Sequence, residues 1–568
     1  MTTTQGRREL APALCYQSQV TTNDDAALRA EAEAWLADDP DPRSRAELRA
    51  LIDGLPGTAG ELRDSFAGPL TFGTAGLRGR LRPGPNGMNL AVVTRAAAGL
   101  VSWLAARGGT GPLVIGYDAR HGSKAFAEQT ARVATGAGRE ALVMPGTLPT
   151  PVLAYAVRAL DAVAGVMVTA SHNPPQDNGY KVYLGRALGG PAGDGAQIVP
   201  PADAGIEAAI RAVGRIADVP LGEPGKLLDD AIPQGYVRSA AAVLTEGGPR
   251  DLAVAYTPMH GVGGSTLAAA FVAAGFAEPA VVADQFTPDP EFPTVAFPNP
   301  EEPGAMDHLL ALAGLGGADL AVANDPDADR CAVAIPSDGG WRPLRGDELG
   351  VLLADHLIRR GVPGTYATTI VSSQLLGRLC TARGVPYAET LTGFKWIVRA
   401  AEDLAYGYEE ALGYCVAPAL VRDKDGITAA LNVAEMAAGL KAEGRTLADR
   451  LDELAAEFGV HATDQLSVRV DDLAEIGVAM GRARREPPAT LLGAPLTAID
   501  DLLPDNDVLT FRTAAARVVI RPSGTEPKLK AYLEVVEPVG QGDVRGARER
   551  AAASLRTLRT EVAAALGV

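Results

Sequence analysis

The sequence predicts an α/β fold, with three similar α/β domains built on largely parallel, mixed sheets and a C-terminal α+β domain. Two observations carry this: a plan of strand, loop, helix, glycine and strand that occurs three times, and a change of pattern after about Gly444. The first occurrence is LVIGYDARHGSKAFAEQTARVATGAGREALVM, from Leu113 to Met144. The second, LAVAYTPMHGVGGSTLAAAFVAAGFAEPAVV, runs from Leu252 to Val282, and the third, YATTIVSSQLLGRLCTARGVPYAET, from Tyr366 to Thr390. In each, a β-rich run meets a turn, a helical period of Ala and Leu follows, and a glycine caps the helix. Strands alternating with helices in this way imply parallel pairing with helices on both faces.

Beyond Gly444, LSVRVDD and ARVVIRPSGTEPKLKAYLEVVE alternate like half-exposed strands, and Val544 to Leu566 has the spacing of an amphipathic helix. Seams are expected at Ala217–Gly225, Ser337–Pro343 and Lys441–Asp449. They divide the chain into a flexible extension (1–22) and domains at 23–217, 218–338, 339–447 and 448–568.

A chain of 568 residues is too long for one core, and 47% hydrophobic with 21% charged residues is an ordinary globular balance. No apolar run reaches the ~18 residues that would cross a bilayer. The N-terminal MTTTQGRRELAPALCYQSQ has arginines but no apolar segment behind them, so no secretory signal and a cytoplasmic location are expected. A net charge of −17 argues against nucleic acid or an anionic membrane as partner. A small anionic substrate is compatible with it if basic residues gather locally. Cys15, Cys331, Cys380 and Cys415 are widely spaced and read as reduced thiols.

Several loops could carry chemistry. In VMVTASHNPPQDNGYKVY the apolar run Val166–Val168 gives way to turn-formers, which puts Ser171 at the mouth of a loop. Such a loop is either a display site or a plain surface turn, and this stretch alone leaves both open. In LAVANDPDADRCAVAI, Asp325, Asp327 and Asp329 recur at every second residue between two apolar strands. Their repulsion is relieved most economically by a hard divalent cation, Mg²⁺, with a solvated acidic loop as the alternative. A calcium EF-hand needs glycine where Arg330 stands. Arg330 would orient a phosphate or carboxylate.

VVIRPSGTEPKLKAY presents Arg521, Ser523, Gly524, Thr525, Lys528 and Lys530. These form either a phosphate cradle or a hairpin turn with a charged rim. LTFGTAGLRGRL delivers Arg78 and Arg80, while LTGFKWI and YGYEEALGY add Lys395, Glu409 and Glu410. Taken singly, these last segments read as packed loops and solvated acids. His121, His260, His308, His356 and His461 lack catalytic or metal spacing and read as structural; His172 differs because it follows Ser171 directly.

Together the motifs resemble the α-D-phosphohexomutase family, the phosphoglucomutases and phosphomannomutases. TASHNP is similar to its phosphoserine loop, DPDADR to its metal loop, GFKWI and EEALGY to its sugar loop and RPSGTEP to its phosphate loop. The order agrees from about Gly68 to Leu566. The resemblance implies a four-domain, heart-shaped architecture around a central cleft, one site loop coming from each domain. It implies interconversion of glucose 1-phosphate and glucose 6-phosphate through phosphorylated Ser171 and a bisphosphorylated sugar, with mannose or pentose phosphates as alternative substrates. Mg²⁺ would be held by Asp325, Asp327, Asp329 and an oxygen of phosphorylated Ser171. Arg78, His172 and Lys181 would surround the transferring group, with Lys181 moving the proton. Arg330, Lys395 and Glu409 would meet the sugar, and Arg521, Ser523, Gly524, Thr525 and Lys528 the non-reacting phosphate. Glucose 1,6-bisphosphate is the implied activator, sugar monophosphates are the partners, and the chain is expected to be a monomer or weak dimer.

One departure matters: many relatives carry Glu-x-Ser in the sugar loop, whereas Glu409 and Glu410 are followed here by Ala411. EEALGY and the length look most like the long branch that includes phosphopentomutases. A haloacid-dehalogenase-type phosphotransferase would place its D-x-D early and follow it with a hydroxyl residue, unlike Asp329 and Arg330 here. A non-catalytic sugar-phosphate sensor on the same fold is the remaining alternative.

Overall fold

The computed structural model describes residues 14–73, 75–470, 472–523 and 528–567. The chain separates into two compact units. One comprises Met1–Leu148, Ala156–Leu188 and Gln197–Asp229; the other comprises Pro149–Tyr155, Gly189–Ala196 and Asp230–Val568.

The first unit opens with the helices Leu14–Asp38, Pro42–Asp53 and Ala59–Ser65. Pro42 sits at the start of the second helix, where its missing N–H costs nothing, and the Asp41 carboxylate caps it by accepting from Arg43 N at 3.0 Å. Leu48 and Ile52, one turn apart, face Leu62 and Phe66. The sheet that follows contains β1 (Leu77–Arg80), β2 (Leu113–Tyr117), β3 (Ala141–Thr147), β4 (Ala164–Val168), β5 (Asp177–Leu184) and β6 (Lys226–Leu227), in the order β1-β5-β4-β2-β3-β6. β2 pairs in parallel with β3 and β4, while β5 runs antiparallel to both β4 and β1. Every residue of β2 and β4 is buried, as expected for strands covered on both faces. Helix Leu90–Ala106, capped by Asn89, supplies Val93, Leu100 and Leu104 to the same core as Ile115 and Val166.

Among its described residues the second unit holds three sheets of four or five strands and a two-stranded ribbon that pairs Thr490–Leu491 with Ala494–Pro495. In the first, β7 (Val254–Thr257), β8 (Ala280–Val281), β9 (Leu320–Ala323), β10 (Ala332–Ser337) and β11 (Gly340–Pro343) are ordered β11-β10-β9-β7-β8. The next contains β12 (Thr365–Thr369), β13 (Tyr387–Thr390), β14 (Leu404–Glu409) and β15 (Gly413–Cys415), ordered β13-β12-β14-β15. Both repeat the plan of the first unit, a parallel centre with antiparallel strands at one side. In all three sheets the predicted glycine follows the helix with a positive φ: 77° at Gly138, 86° at Gly275 and 66° at Gly384. Helix Gly426–Ala442 is buried on nearly all sides, and the Asp425 carboxylate caps it by accepting from Ile427 N and Thr428 N.

The last sheet is wholly antiparallel: β16 (Val460–Arg469), β17 (Ala498–Asp501), β18 (Leu509–Arg512), β19 (Ala516–Pro522) and β20 (Lys528–Glu537), ordered β16-β20-β19-β18-β17. Helix Val544–Leu566 covers one face, placing Leu555, Leu558 and Val562 against Val518 and Ile520. The expected alternation holds in β16, where Gln465, Ser467 and Arg469 are exposed. It fails in β19, which is buried from Ala516 to Ile520. The second face of β19 is also covered, because Val519 packs with Tyr532, Val508, Val371 and Ile370. Cys331, Cys380 and Cys415 are free and buried. No helix among the described residues is long and apolar enough to cross a membrane.

Candidate active site

Ser171 lies in the loop from β4 to β5, 2% exposed and at φ 53°. A non-glycine residue in the left-handed region is held there by its surroundings. Its N–H donates to Thr169 Oγ1 at 2.9 Å, and its Oγ is 3.3 Å from His172 Nδ1. The larger restraint is Arg120, from the loop after β2. Its guanidinium donates to the carbonyls of Ser171 and Asn173, both at 2.6 Å, of Pro174 at 2.8 Å and of Asp177 at 3.2 Å. Asp118 lies 3.4 Å from Arg120 Nε. Burial pushes the Asp118 carboxyl up, with Arg120 and Ser123 opposing. Lys181 is buried on β5, and Arg78 on β1 pairs in register with Gly179. Paired residues share a face, as do alternate residues of a strand, so Arg78 and Lys181 stand on one side of the sheet. The buried Arg78 Nε has no hydrogen-bond partner among the described residues.

Asp325, Asp327 and Asp329 occupy the turn from β9 towards β10 and are at most 1% exposed. One oxygen from each lies within 4.8 Å of the others. Burial pushes the Asp325 carboxyl well up, and Asp327 and Asp329 push it further. An all-carboxylate donor set this close and this dry suits a hard divalent cation. Arg330 N donates to Asp325 Oδ1 at 3.0 Å, Thr150 Oγ1 to Asp327 Oδ2 at 2.5 Å, and Lys424 Nζ lies 3.3 Å from Asp329 Oδ2. Burial opposes the Lys424 charge, but Asp329, Asp423 and Glu409 hold its ammonium above the ordinary range.

The sugar loop joins this loop directly. Arg330 donates to the Ala411 carbonyl at 2.8 Å, and an isolated bridge pairs Arg330 with Gly413. Gly413 leaves room for the lysine, since a Cβ there would fall 2.4 Å from Lys424 Cδ and force that side chain to shift. Glu409 is buried at the end of β14. Glu410 accepts from Ser372 Oγ at 3.0 Å, and its carboxyl is pushed up to about 7 by burial, then by Glu409 and Asp347. Lys395 lies in the short helix Phe394–Ile397.

In the phosphate loop, Arg521 on β19 donates to Tyr532 Oη at 3.5 Å, and Ser523 N donates to the Lys528 carbonyl at 2.8 Å. Gly524 and Thr525 lie outside the described residues. Four residues before Arg521, Arg517 forms a buried ion pair with Glu534 at 3.0 Å, and Glu534 in turn accepts from Ser373 Oγ at 2.7 Å. His461 Nδ1 lies 2.8 Å from Glu534 and His356 Nε2 2.9 Å from Glu435, the structural placing expected of them.

The metal, sugar and phosphate loops thus lie in one unit, and the serine loop with Arg78 and Lys181 in the other. Sequence reasoning missed Arg120, Thr150 and Lys424. For Lys424 a signal existed: Arg422, Asp423, Lys424 and Asp425 are four successive charges directly before an apolar helix, and all four are buried. Consecutive charges at such a junction rarely bury without a task.

Four family models match the chain in order. Those for phosphoglucomutase/phosphomannomutase alpha/beta/alpha domains I, II and III match residues 69–215, 234–339 and 345–458, and that for the C-terminal domain matches 466–544. A Haemophilus influenzae protein named "Probable phosphomannomutase" is 46% identical over 79% of this chain and 93% of its own length. The Mus musculus protein named "Phosphopentomutase" is 34% identical over 91% of this chain and 92% of its own. A crystal structure of a phosphoglucomutase/phosphomannomutase family protein from Burkholderia thailandensis superposes with a TM-score of 0.64 at 20% identity, covering 84% of this chain and 96% of that one. At that identity the likeness concerns the fold.

Proposed function

The chain belongs to the phosphoglucomutase/phosphomannomutase family and is a phosphosugar mutase, and from that premise we propose that it interconverts glucose 1-phosphate and glucose 6-phosphate through a phosphoserine at Ser171. The observation that carries this reading is Ser171 itself, a buried hydroxyl held at positive φ by an arginine spanning its loop.

A sugar hydroxyl attacks the phosphorus carried on Ser171, the bond to the serine oxygen breaks, and the sugar becomes a bisphosphate. Lys181 takes the proton of the attacking hydroxyl. The bisphosphate then presents its other end, and Ser171 takes back that phosphoryl group. Arg78 and His172 flank the transferring group. Arg521, Ser523, Gly524, Thr525 and Lys528 hold the phosphate that is not reacting, while Arg330, Lys395 and Glu409 position the sugar. Asp325, Asp327 and Asp329 would hold Mg²⁺, which when bound supplies neutralisation of charge on the transferring phosphoryl group. Glucose 1,6-bisphosphate serves as activator by phosphorylating a Ser171 that has lost its phosphate.

A second reading, in which mannose or pentose phosphates are preferred, draws support from the names of the relatives and from Ala411, which stands where the family resemblance implies a hydroxyl. Measuring kcat/KM for glucose, mannose and ribose 1-phosphates side by side, with Mg²⁺ and the matching bisphosphate, decides between them. A glucose preference supports the first reading, a mannose or ribose preference replaces it, and no turnover of any points to an untested sugar or to a sugar-phosphate sensor.

A further inference from the structure

Pro149–Tyr155 belongs to the same compact unit as the metal loop, although the chain on either side of it belongs to the other unit. Within it Thr150 grips Asp327 twice: its N–H donates to the Asp327 carbonyl at 2.9 Å and its hydroxyl to Asp327 Oδ2 at 2.5 Å. Both residues have no exposed surface. A related pattern recurs across the triad, with one oxygen of each carboxylate engaged by a donor, from the loop itself for Asp325 and from distant segments for Asp327 and Asp329. Asp325 Oδ1 takes the backbone N–H of Arg330, Asp327 Oδ2 the Thr150 hydroxyl, and Asp329 Oδ2 faces the Lys424 ammonium. A hydrogen bond at one oxygen restricts the rotation of a carboxylate and so orients its other oxygen.

We propose that Thr150 is a positioning residue for the divalent cation: its hydroxyl orients Asp327 and so raises metal affinity without touching metal or sugar. The proposal rests on reading the aspartate triad as a cation site. Of the three donors, Thr150 allows the cleanest test. The Arg330 donor is backbone and survives any side-chain change, and removing Lys424 alters the charge of the site. Thr150→Val keeps the shape and removes only the hydroxyl; Thr150→Ser keeps the hydroxyl and removes only a methyl.

The experiment is Mn²⁺ binding by electron paramagnetic resonance and Mg²⁺ binding by calorimetry, on the full chain stripped of metal with EDTA. Thr150→Val is expected to weaken both by about 10–100-fold, with Thr150→Ser close to wild type. Thermal midpoints of the stripped proteins, if alike, show that the loss lies in the metal site and not in the fold. Thr150→Ala carries the same expectation should valine fail to pack. Wild-type affinity in Thr150→Val, or Thr150→Ser as weak as Thr150→Val, overturns the assignment while leaving the metal reading standing. A wild-type chain that binds neither ion overturns the metal reading and this inference with it.

Discussion

In the serine loop a buried cation, Arg120, gathers four carbonyl oxygens, and its charge is answered by Asp118 beneath it. In the metal loop the signs are reversed: three buried carboxylates meet one hydroxyl, one backbone N–H and one lysine. The first arrangement is nearly neutral by itself and needs nothing added to hold Ser171 in place. The second keeps an excess of negative charge in a dry turn, which burial makes costly until a cation neutralises it. The two loops therefore differ in balance: one is braced by its own contacts, and the other carries buried charge that a bound cation would offset. The sugar loop extends the second pattern, since Glu409 adds a carboxyl beside Arg330 and Lys424, and Glu410 crowds Glu409 and Asp347.

Four measurements test that contrast. Ser171→Ala should lose about 10⁴-fold or more in kcat with the fold intact, because transfer through the serine has no substitute; turnover near wild type would remove the serine loop from the chemistry. Arg120→Met should destabilise the chain by about 3–5 kcal/mol in urea, since it strands Asp118 and releases four carbonyls. An unchanged urea midpoint would mean that the loop is not held by charge at all.

Asp327→Asn should lower kcat by about 10²–10³-fold through loss of metal, yet leave the metal-free protein as stable as wild type or more so. That sign, opposite to the Arg120 variant, is read from melting in EDTA. The smallest effect concerns Glu410, whose carboxyl is raised from an ordinary 4.5 to about 7. The folded state binds this proton more tightly than the unfolded state, so the contribution is fully present below pH 4.5 and is lost as pH rises through about 7. The stability of wild type relative to Glu410→Gln should fall over that window; a difference independent of pH would show that Glu410 is not buried against like charge.

The contrast between the loops also marks how far sequence alone reaches. The aspartate triad was legible because its signal is local, three acids at every second residue between apolar runs. The repeated strands and helices, the glycines that cap them and helix Val544–Leu566 were legible for the same reason, since periods of two and 3.6 residues lie within one element. The burial of β19 was not, because its second face is closed by Val371 and Ile370, remote in sequence. Arg120 is 51 residues from Ser171, and Thr150 is 177 residues from Asp327. No local pattern connects either pair.

Read alone, the residues specify the set of chemical groups, their order along the chain and the elements that carry them. Hydrophobic period and turn chemistry act over a few residues and survive without tertiary context. Which donors meet which carboxylates, and that the Ser171 loop is braced by an arginine from the loop after β2, emerges from long-range packing. Those contacts depend on strand order and on which buried polar groups must satisfy one another once water is excluded, a condition that arises only when distant segments pack together.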